Sequence, residues 1–353
     1  MTAAGEQGVH LPALDGWRGI SILLVLAAHL LPLGPHAWEL NYSAGILGMA
    51  LFFTLSGYLI TSVLLRDPHV PRFLIRRGCR IIPLAWLYCL VALGLSGATT
   101  RVWFAHLLFY ANVPPPQLQP LTLHLWSLCV EMQFYAGVAL LVAAFRQRGL
   151  WLLPVLAVMF SLLRAYDGVY ASAISYYRVD EILAGCTLAL VMHGKWGGAL
   201  RDWMADAPQW ALLALLVVSC LPAGGWLNYL RPYFAALLVG ATLVSPHTRL
   251  ARSLGSRTLV YLALTSYALY VIHPLLAGSW LGEGDRVEKY AKRPLLLVVL
   301  FALAHLSTHY FERWFIALGH RLTGQGGAVR AALRGGVLRA PVRPRAQGDQ
   351  HEL

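Results

Sequence analysis

The sequence predicts an all-α membrane protein: a bundle of about ten transmembrane helices, one short re-entrant or interfacial segment, and both termini in the cytoplasm. Three observations carry that expectation. Of 353 residues, 58% are hydrophobic and only 12% charged, with mean hydropathy +0.59, too little polar surface to cover a water-soluble globule. Apolar stretches recur from residue 12 to residue 318 without a long polar interval, so the chain reads as one membrane domain. The basic residues gather in short runs between those stretches, as in cytoplasmic loops that retain positive charge.

A hydrocarbon core of ~30 Å requires about 20 apolar helical residues. Candidate spans are 14–33, 46–65, 81–96, 123–145, 150–166, 175–192, 209–221, 233–244, 259–281 and 295–318, with a shorter eleventh at 102–113. Loop charge decides the eleventh. With the N-terminus inside, 34–45 falls outside and carries no Lys or Arg, while Arg66, Arg72, Arg76, Arg77 and Arg80 fall inside. If 102–113 does not cross, then Arg146, Arg148, Lys195, Arg201, Arg249, Arg252, Arg257 and the C-terminal arginines also fall inside. If it crosses, every later basic loop moves outside, against the rule. One outer loop, 282–293, stays basic but is diluted by Glu283, Asp285 and Glu288. Residues 1–319 are therefore expected to form the membrane domain. Residues 320–353, rich in Gly, Arg and Pro, read as a basic, disordered cytoplasmic tail. Residues 1–10 lack a basic n-region and a cleavage site, so the first apolar stretch reads as a retained helix.

The formal charge of +12 would point to nucleic acid in a soluble protein. Its placement excludes that, because no basic face interleaved with aromatics occurs. The five cysteines form no CxxC pair, so neither a disulfide framework nor a zinc site is implied, and no metal or bound cofactor is expected.

A charged side chain inside a span costs roughly 2.5–3.5 kcal/mol on insertion scales, so each needs a partner or a function. His29, near the outer end of the first span, and Glu131 share one half of the bilayer. His273 lies in the outer half of its own span, and Arg178 with Asp180 opens another from outside. A histidine oriented by a carboxylate can take the proton of a hydroxyl, since its ordinary pKa lies near working pH. Glu131, Asp15 and Asp180 are alternative orienters. The competing reading is plain helix-to-helix hydrogen bonding. Arg18 stands eleven residues before His29, about 16 Å along one helix, near the cytoplasmic face. Arg76, Arg77 and Arg80 approach the same face. Their guanidinium forks suit either the phosphates of a donor or those of lipid headgroups. Ser56 and Ser127 lack a nucleophile elbow, and Ser56-Gly57 reads as a close helix approach. Glu312 reads as the partner of an arginine such as Arg313, and Trp103, Trp126, Trp151, Trp226 and Trp280 as interfacial belts.

Several segments resemble the acyltransferase-3 family of bacterial membrane O-acyltransferases. They are Leu14-Asp15-Gly16-Trp17-Arg18-Gly19-Ile20 followed by His29, the segment from Leu51 to Ile60, and the arginine-rich run from Phe73 to Pro83. The run from Leu125 to Tyr135, containing Trp126, Ser127 and Glu131, then Arg178-Val179-Asp180 and the segment from Ser266 to Pro274, continue the family's order. The resemblance implies acyl-coenzyme A, acetyl-coenzyme A above all, as a cytoplasmic co-substrate. It also implies a carbohydrate or other hydroxyl-bearing envelope or secreted acceptor on the far side of the bacterial inner membrane. On it, Arg18 and His29 fall on the family's essential arginine–histidine pair, Arg76, Arg77 and Arg80 on its basic donor contacts, and Glu131 on its motif acid. Arg178, Asp180, His273, Ser127, Trp126 and Tyr135 take acceptor or supporting places. Met132 stands where many relatives have a second acid, and Trp17 and Tyr58 replace commoner apolar residues. Some relatives carry an additional extracytoplasmic esterase-like domain. This chain is expected to complete transfer within the membrane or through a separate relay partner. The alternative function is a multi-spanning transporter or flippase of a glycan or lipid-linked substrate.

Overall fold

A segment surrounded by lipid must satisfy its own backbone N–H and C=O groups, which favours helices. The computed structural model describes residues 11–324, and among these residues there are helices and turns but no strand. In order they are α1 (Pro12–Leu30), α2 (Leu40–Arg66), α3 (Val70–Leu95), α4 (Thr100–Leu107), α5 (Trp126–Phe145), α6 (Leu153–Tyr166), α7 (Val179–Met192), α8 (Gly198–Asp206), α9 (Gln209–Val218), α10 (Arg231–Val244), α11 (Arg249–Leu254), α12 (Arg257–Ala277), α13 (Arg286–Ala291), α14 (Arg293–Leu306) and α15 (Arg313–Leu322).

Six helical stretches among the described residues are long and apolar enough to cross a membrane, or seven if one bent pair counts as a span. The ten sequence-predicted spans are therefore not ten long helices. α7 and α10 each have 14 residues. α7 starts late because Arg178 leaves helical geometry (φ −127°). α9 stops at Val218 and the chain turns by 115° into Pro222–Tyr229. The residue before Pro222 is extended, as a following proline favours. Residues 120–166 form one 47-residue helical stretch, interrupted where Arg146 takes a positive φ of 56°. α4, at eight residues, is about 12 Å long and too short to cross. α14 and α15 join through a π-helical turn, Ser307–Glu312, into a 30-residue stretch. Helix thus continues past the boundary expected at residue 319, while the remainder of the predicted tail, 325–353, and residues 1–10 lie outside the described residues.

α1 is central. It packs along α2 on one side and α12 on the other, and α2 in turn packs along α7. One buried cluster gathers Val25, Leu30, Phe53, Leu84, Val130 and Leu269. A second joins α1 and α2 to α7, α9 and α10 through Trp17, Leu55, Leu188, Leu212 and Leu238. The α2–α7 crossing depends on two glycines. A Cβ at Gly57 would strike the Ile182 carbonyl, and one at Gly185 would strike the Thr54 carbonyl. Both obstacles are backbone and cannot rotate away. Gly185→Ala is expected to destabilise the protein by about 1–3 kcal/mol, the usual cost of overpacking. Thermal unfolding in detergent checks this; an unchanged midpoint would mean that the two helices can separate without loss.

Candidate functional site

The last turn of α1 presents His29, and Asn41 at the start of α2 fixes that turn. Asn41 Nδ2 donates to the carbonyls of Ala28 (2.8 Å) and Leu31 (2.6 Å), and its Oδ1 accepts from the Leu33 amide (3.2 Å). His29 Nδ1 donates to the Val25 carbonyl one turn earlier (2.9 Å), leaving Nε2 as the basic nitrogen, and the side chain is exposed. Its ring centroid lies 5.0 Å from that of His273. His273 is 1% exposed, its Nδ1 donates to the Tyr270 carbonyl (2.8 Å), and its Nε2 has no hydrogen-bond partner. The His124 ring stands 5.6 Å beyond His273, buried, with no hydrogen-bonded partner on either nitrogen. Tyr270 donates to the His124 carbonyl and meets the Ser127 hydroxyl at 2.5 Å.

Eleven residues make roughly three helical turns, so Arg18 lies on the same face of α1 as His29, about 16 Å away. Arg18, Arg77 and Arg80 act on one another electrostatically. None of the three forms an ion pair among the described residues. Arg77 lies over the Tyr135 ring (5.9 Å) and Arg18 over Phe52 (5.8 Å). Glu131 is buried close to this group, and one of its carboxylate oxygens accepts from both Ser56 and Tyr135. Arg76 is turned aside: its Nε donates to Thr323 at the C-terminal end of α15 (3.0 Å). A cavity of ≈ 270 Å³ between α1 and α2 is lined by Asp15, Arg18, Tyr58, Ser62 and Arg66 among others.

The arginine group and the histidines are joined by aromatic rings. Arg18 lies on Phe52, Phe52 stacks on Tyr270 (6.4 Å), and Tyr270 is 6.0 Å from His273. A third polar group lies beside this line. Arg164 Nε donates to Asp180 (2.9 Å), while Glu181 pairs with Arg231 (2.8 Å) and with Arg178 (3.2 Å). All five side chains are at most 2% exposed. The Arg178 guanidinium also lies over the rings of Trp126 (5.2 Å) and Phe53 (5.9 Å), which meet edge to face beside it.

Several expected partnerships therefore change. Asp180 is engaged by Arg164 and Glu131 by Ser56 and Tyr135, while Asp15 lies toward the other end of α1; none is hydrogen-bonded to His29. Trp126, expected in an interfacial belt, is half-buried and packs against Arg178 and Phe53. Glu312 accepts from Ser307 (3.0 Å) and Thr308 (3.2 Å) and faces Arg80 electrostatically rather than Arg313. Ser56-Gly57 does mark a close helix approach. The sequence reading missed His124, Arg164, Glu181 and Arg231. Arg164, a guanidinium within an apolar run, was the available signal, since lipid would not tolerate it unpaired. No group of three or more side chains able to hold a metal ion occurs among the described residues.

The family model described as an acyltransferase domain, acyltransferase-3, matches residues 11–316. YrhL of Bacillus subtilis, provisionally named a peptidoglycan O-acetyltransferase, is 28% identical over 370 residues, covering 88% of this chain and 56% of that protein. BcsY of Komagataeibacter xylinus, provisionally named a membrane-bound transacylase, is 30% identical over 295 residues, covering 74% of this chain and 71% of that one. Peptidoglycan O-acetyltransferase OatA of Listeria monocytogenes is 25% identical over 356 residues, covering 86% and 55%. The chain thus spans little more than half the length of YrhL and OatA. No solved structure matches it.

Proposed function

The chain belongs to the acyltransferase-3 family, and from that premise we propose that it is a membrane O-acyltransferase moving an acetyl group from acetyl-coenzyme A to a hydroxyl of peptidoglycan or another envelope carbohydrate. One observation carries the reading: a group of guanidinium side chains at one end of α1, without an ion pair among the described residues, is joined by a line of rings to an exposed histidine at the other. Phosphates of the donor bind at Arg18, Arg77 and Arg80, and its pantetheine arm follows Phe52 and Tyr270 toward His29. His29 Nε2 removes the proton of the acceptor hydroxyl as the oxygen attacks the thioester carbon. The carbon–sulfur bond then breaks, and the proton passes from His29 to the departing thiolate. Electrostatic attraction and bidentate geometry both favour arginine at such a donor site.

In the same reading the chain lies in the bacterial cytoplasmic membrane, with ten crossings, both termini inside and donor entry from the cytoplasm. The 47-residue stretch 120–166 is about 70 Å of helix, more than twice a ~30 Å core, so it crosses twice with its turn at Arg146. Where the acceptor is distant, a separate protein relays the acyl group. A transporter would favour interrupted helices in pairs, and the described residues contain one bent pair. Cysteines placed at Tyr42 and Arg146 test sidedness: labelling from outside is expected at the first and not at the second, and the reverse would overturn the topology.

Activity is tested with the full-length protein in proteoliposomes, using labelled acetyl-coenzyme A and soluble peptidoglycan fragments. Transfer of label accompanied by stoichiometric thiol release is expected; movement of the fragment across the bilayer without thiol release would establish the transporter instead. Within that assay, Arg77→Ala and Arg80→Ala should each raise the KM for acetyl-coenzyme A about 10- to 100-fold, the effect of losing a hydrogen bond to a charged group. Arg76→Ala should change it by less than about threefold, since that side chain is held by Thr323. Equal effects at all three positions would refute the division of the arginine run.

A further inference from the structure

The cavity of ≈ 270 Å³ between α1 and α2 has two guanidinium groups in its lining, Arg18 from α1 and Arg66, the last residue of α2. The two helices run antiparallel: Asn41 at the start of α2 bonds to Ala28 near the end of α1, and Ser21 Oγ donates to the Gly48 carbonyl (2.9 Å). Continuing that register sets Leu55 level with the Asp15 turn and carries the end of α2 past the start of α1. From Leu55 to Arg66 is about 16 Å of helix. The charges of the lining therefore follow an order: Arg18 deepest, Asp15 beside it toward the start of α1, and exposed Arg66 at the mouth. Between the guanidinium groups α2 supplies Tyr58 and Ser62, one turn apart and buried, and Ser62 Oγ has no hydrogen-bond partner. Leu14, Leu55 and Leu59 add apolar wall. Arg66 forms no ion pair among the described residues. The adjacent carboxylate, Asp67, is engaged by Arg72 (2.5 Å) and by the His69 amide (3.2 Å). The helix dipole favours a cation at the end of α2, which accounts for an arginine there but not for its place in a cavity that a second arginine also lines.

Resting on the reading of Arg18, Arg77 and Arg80 as donor contacts, we propose that this cavity holds the adenosine 3′-phosphate end of the donor. The 3′-phosphate meets Arg66, the nucleoside fills the space between the two guanidinium groups, and the diphosphate reaches Arg18. The order of charge along the cavity then matches the order along the ligand: anion, uncharged nucleoside, anion. The Asp15 carboxylate repels an anion from the middle of the cavity, while the Tyr58 and Ser62 hydroxyls and the leucines suit a ribose and a purine. A guanidinium fork at each end fits phosphate bidentately. The volume lies just below the roughly 300 Å³ at which small-molecule pockets begin, room for the nucleotide end but not for the pantetheine arm. That arm leaves past Phe52, which Arg18 overlies.

The test measures equilibrium binding of acetyl-coenzyme A and of its 3′-dephospho analogue to the full-length protein in phosphatidylcholine nanodiscs, with no acceptor present. The wild-type protein should bind acetyl-coenzyme A about 5- to 30-fold more tightly than the analogue, the gain from a charge-assisted hydrogen bond at an exposed guanidinium. Arg66→Ala should weaken acetyl-coenzyme A by about that same factor and change the analogue by less than about twofold, because the analogue lacks the group that Arg66 contacts. Arg66→Lys keeps the charge without the fork and should fall between the two. The side chain is exposed and forms no ion pair among the described residues, so both variants should unfold at the wild-type temperature. If Arg66→Ala weakens both ligands equally, the arginine acts only through the general field. If it weakens neither, it does not touch the donor. Either result overturns the proposal. Phospholipid headgroups offer the same phosphate chemistry. The discrimination between the two ligands should persist when phosphatidylglycerol replaces part of the phosphatidylcholine, and its loss there would give Arg66 to lipid and overturn the assignment. A wild-type protein that binds neither ligand would remove the donor reading itself, whereas one that binds both equally would remove only the 3′-phosphate site.

Discussion

His29→Ala is expected to lower acyl transfer to a hydroxyl acceptor by about 10²- to 10⁴-fold, the range that a positioned general base contributes. The KM for acetyl-coenzyme A should change little, because the donor's phosphates are assigned to Arg18, Arg77 and Arg80. The protein should stay folded. His29 is exposed, its hydrogen bond is to the carbonyl of its own helix, and the end of α1 is held by Asn41 through backbone contacts. Removing the ring leaves those contacts in place. The measurement is transfer of labelled acetyl groups in proteoliposomes, with the thermal unfolding midpoint as control. A variant that unfolds at the wild-type temperature and transfers at the wild-type rate would eliminate the proposed base.

The second large effect is on stability. Glu181→Gln should destabilise the fold by about 3–5 kcal/mol, the cost of breaking a buried pair from one side. Glu181 pairs with both Arg178 and Arg231, and Asp180 with Arg164, so three buried guanidinium groups share two carboxylates. Removing one of those carboxylates leaves positive charge without compensation in a region at most 2% exposed. The double variant Glu181→Leu/Arg231→Leu should recover part of the loss, since it removes a charge of each sign. Thermal unfolding in detergent provides the readout. If the single variant unfolds at the wild-type temperature, water reaches the network and the charges are screened.

The network shows where sequence reasoning runs out. Arg178 and Asp180 were visible as a motif, but their partners Arg164 and Arg231 lie 16 and 50 residues from the carboxylates they meet. Nothing local indicates which face of α6 or α10 turns toward α7. The span count was limited for a different reason. Hydropathy measures composition along the chain, whereas helix length depends on where the backbone breaks. The break before Pro222 and the non-helical geometry of Arg178 shorten segments whose composition alone would allow a longer helix.

The sequence by itself determined that the chain is helical and apolar, which family its motifs belong to, and that Arg18 and His29 stand about 16 Å apart along a single helix. These are properties of composition and of helical periodicity, fixed within a few tens of residues. Only the tertiary structure decided which side chains meet those two. It gave the Asp180 carboxylate to Arg164 and the Glu131 carboxylate to Ser56 and Tyr135, turned Arg76 toward Thr323, and set His273 against His29. The physical reason is that such contacts depend on the relative rotation of helices far apart in the chain. That rotation is settled by packing, as where Gly57 and Gly185 bring α2 and α7 into backbone contact.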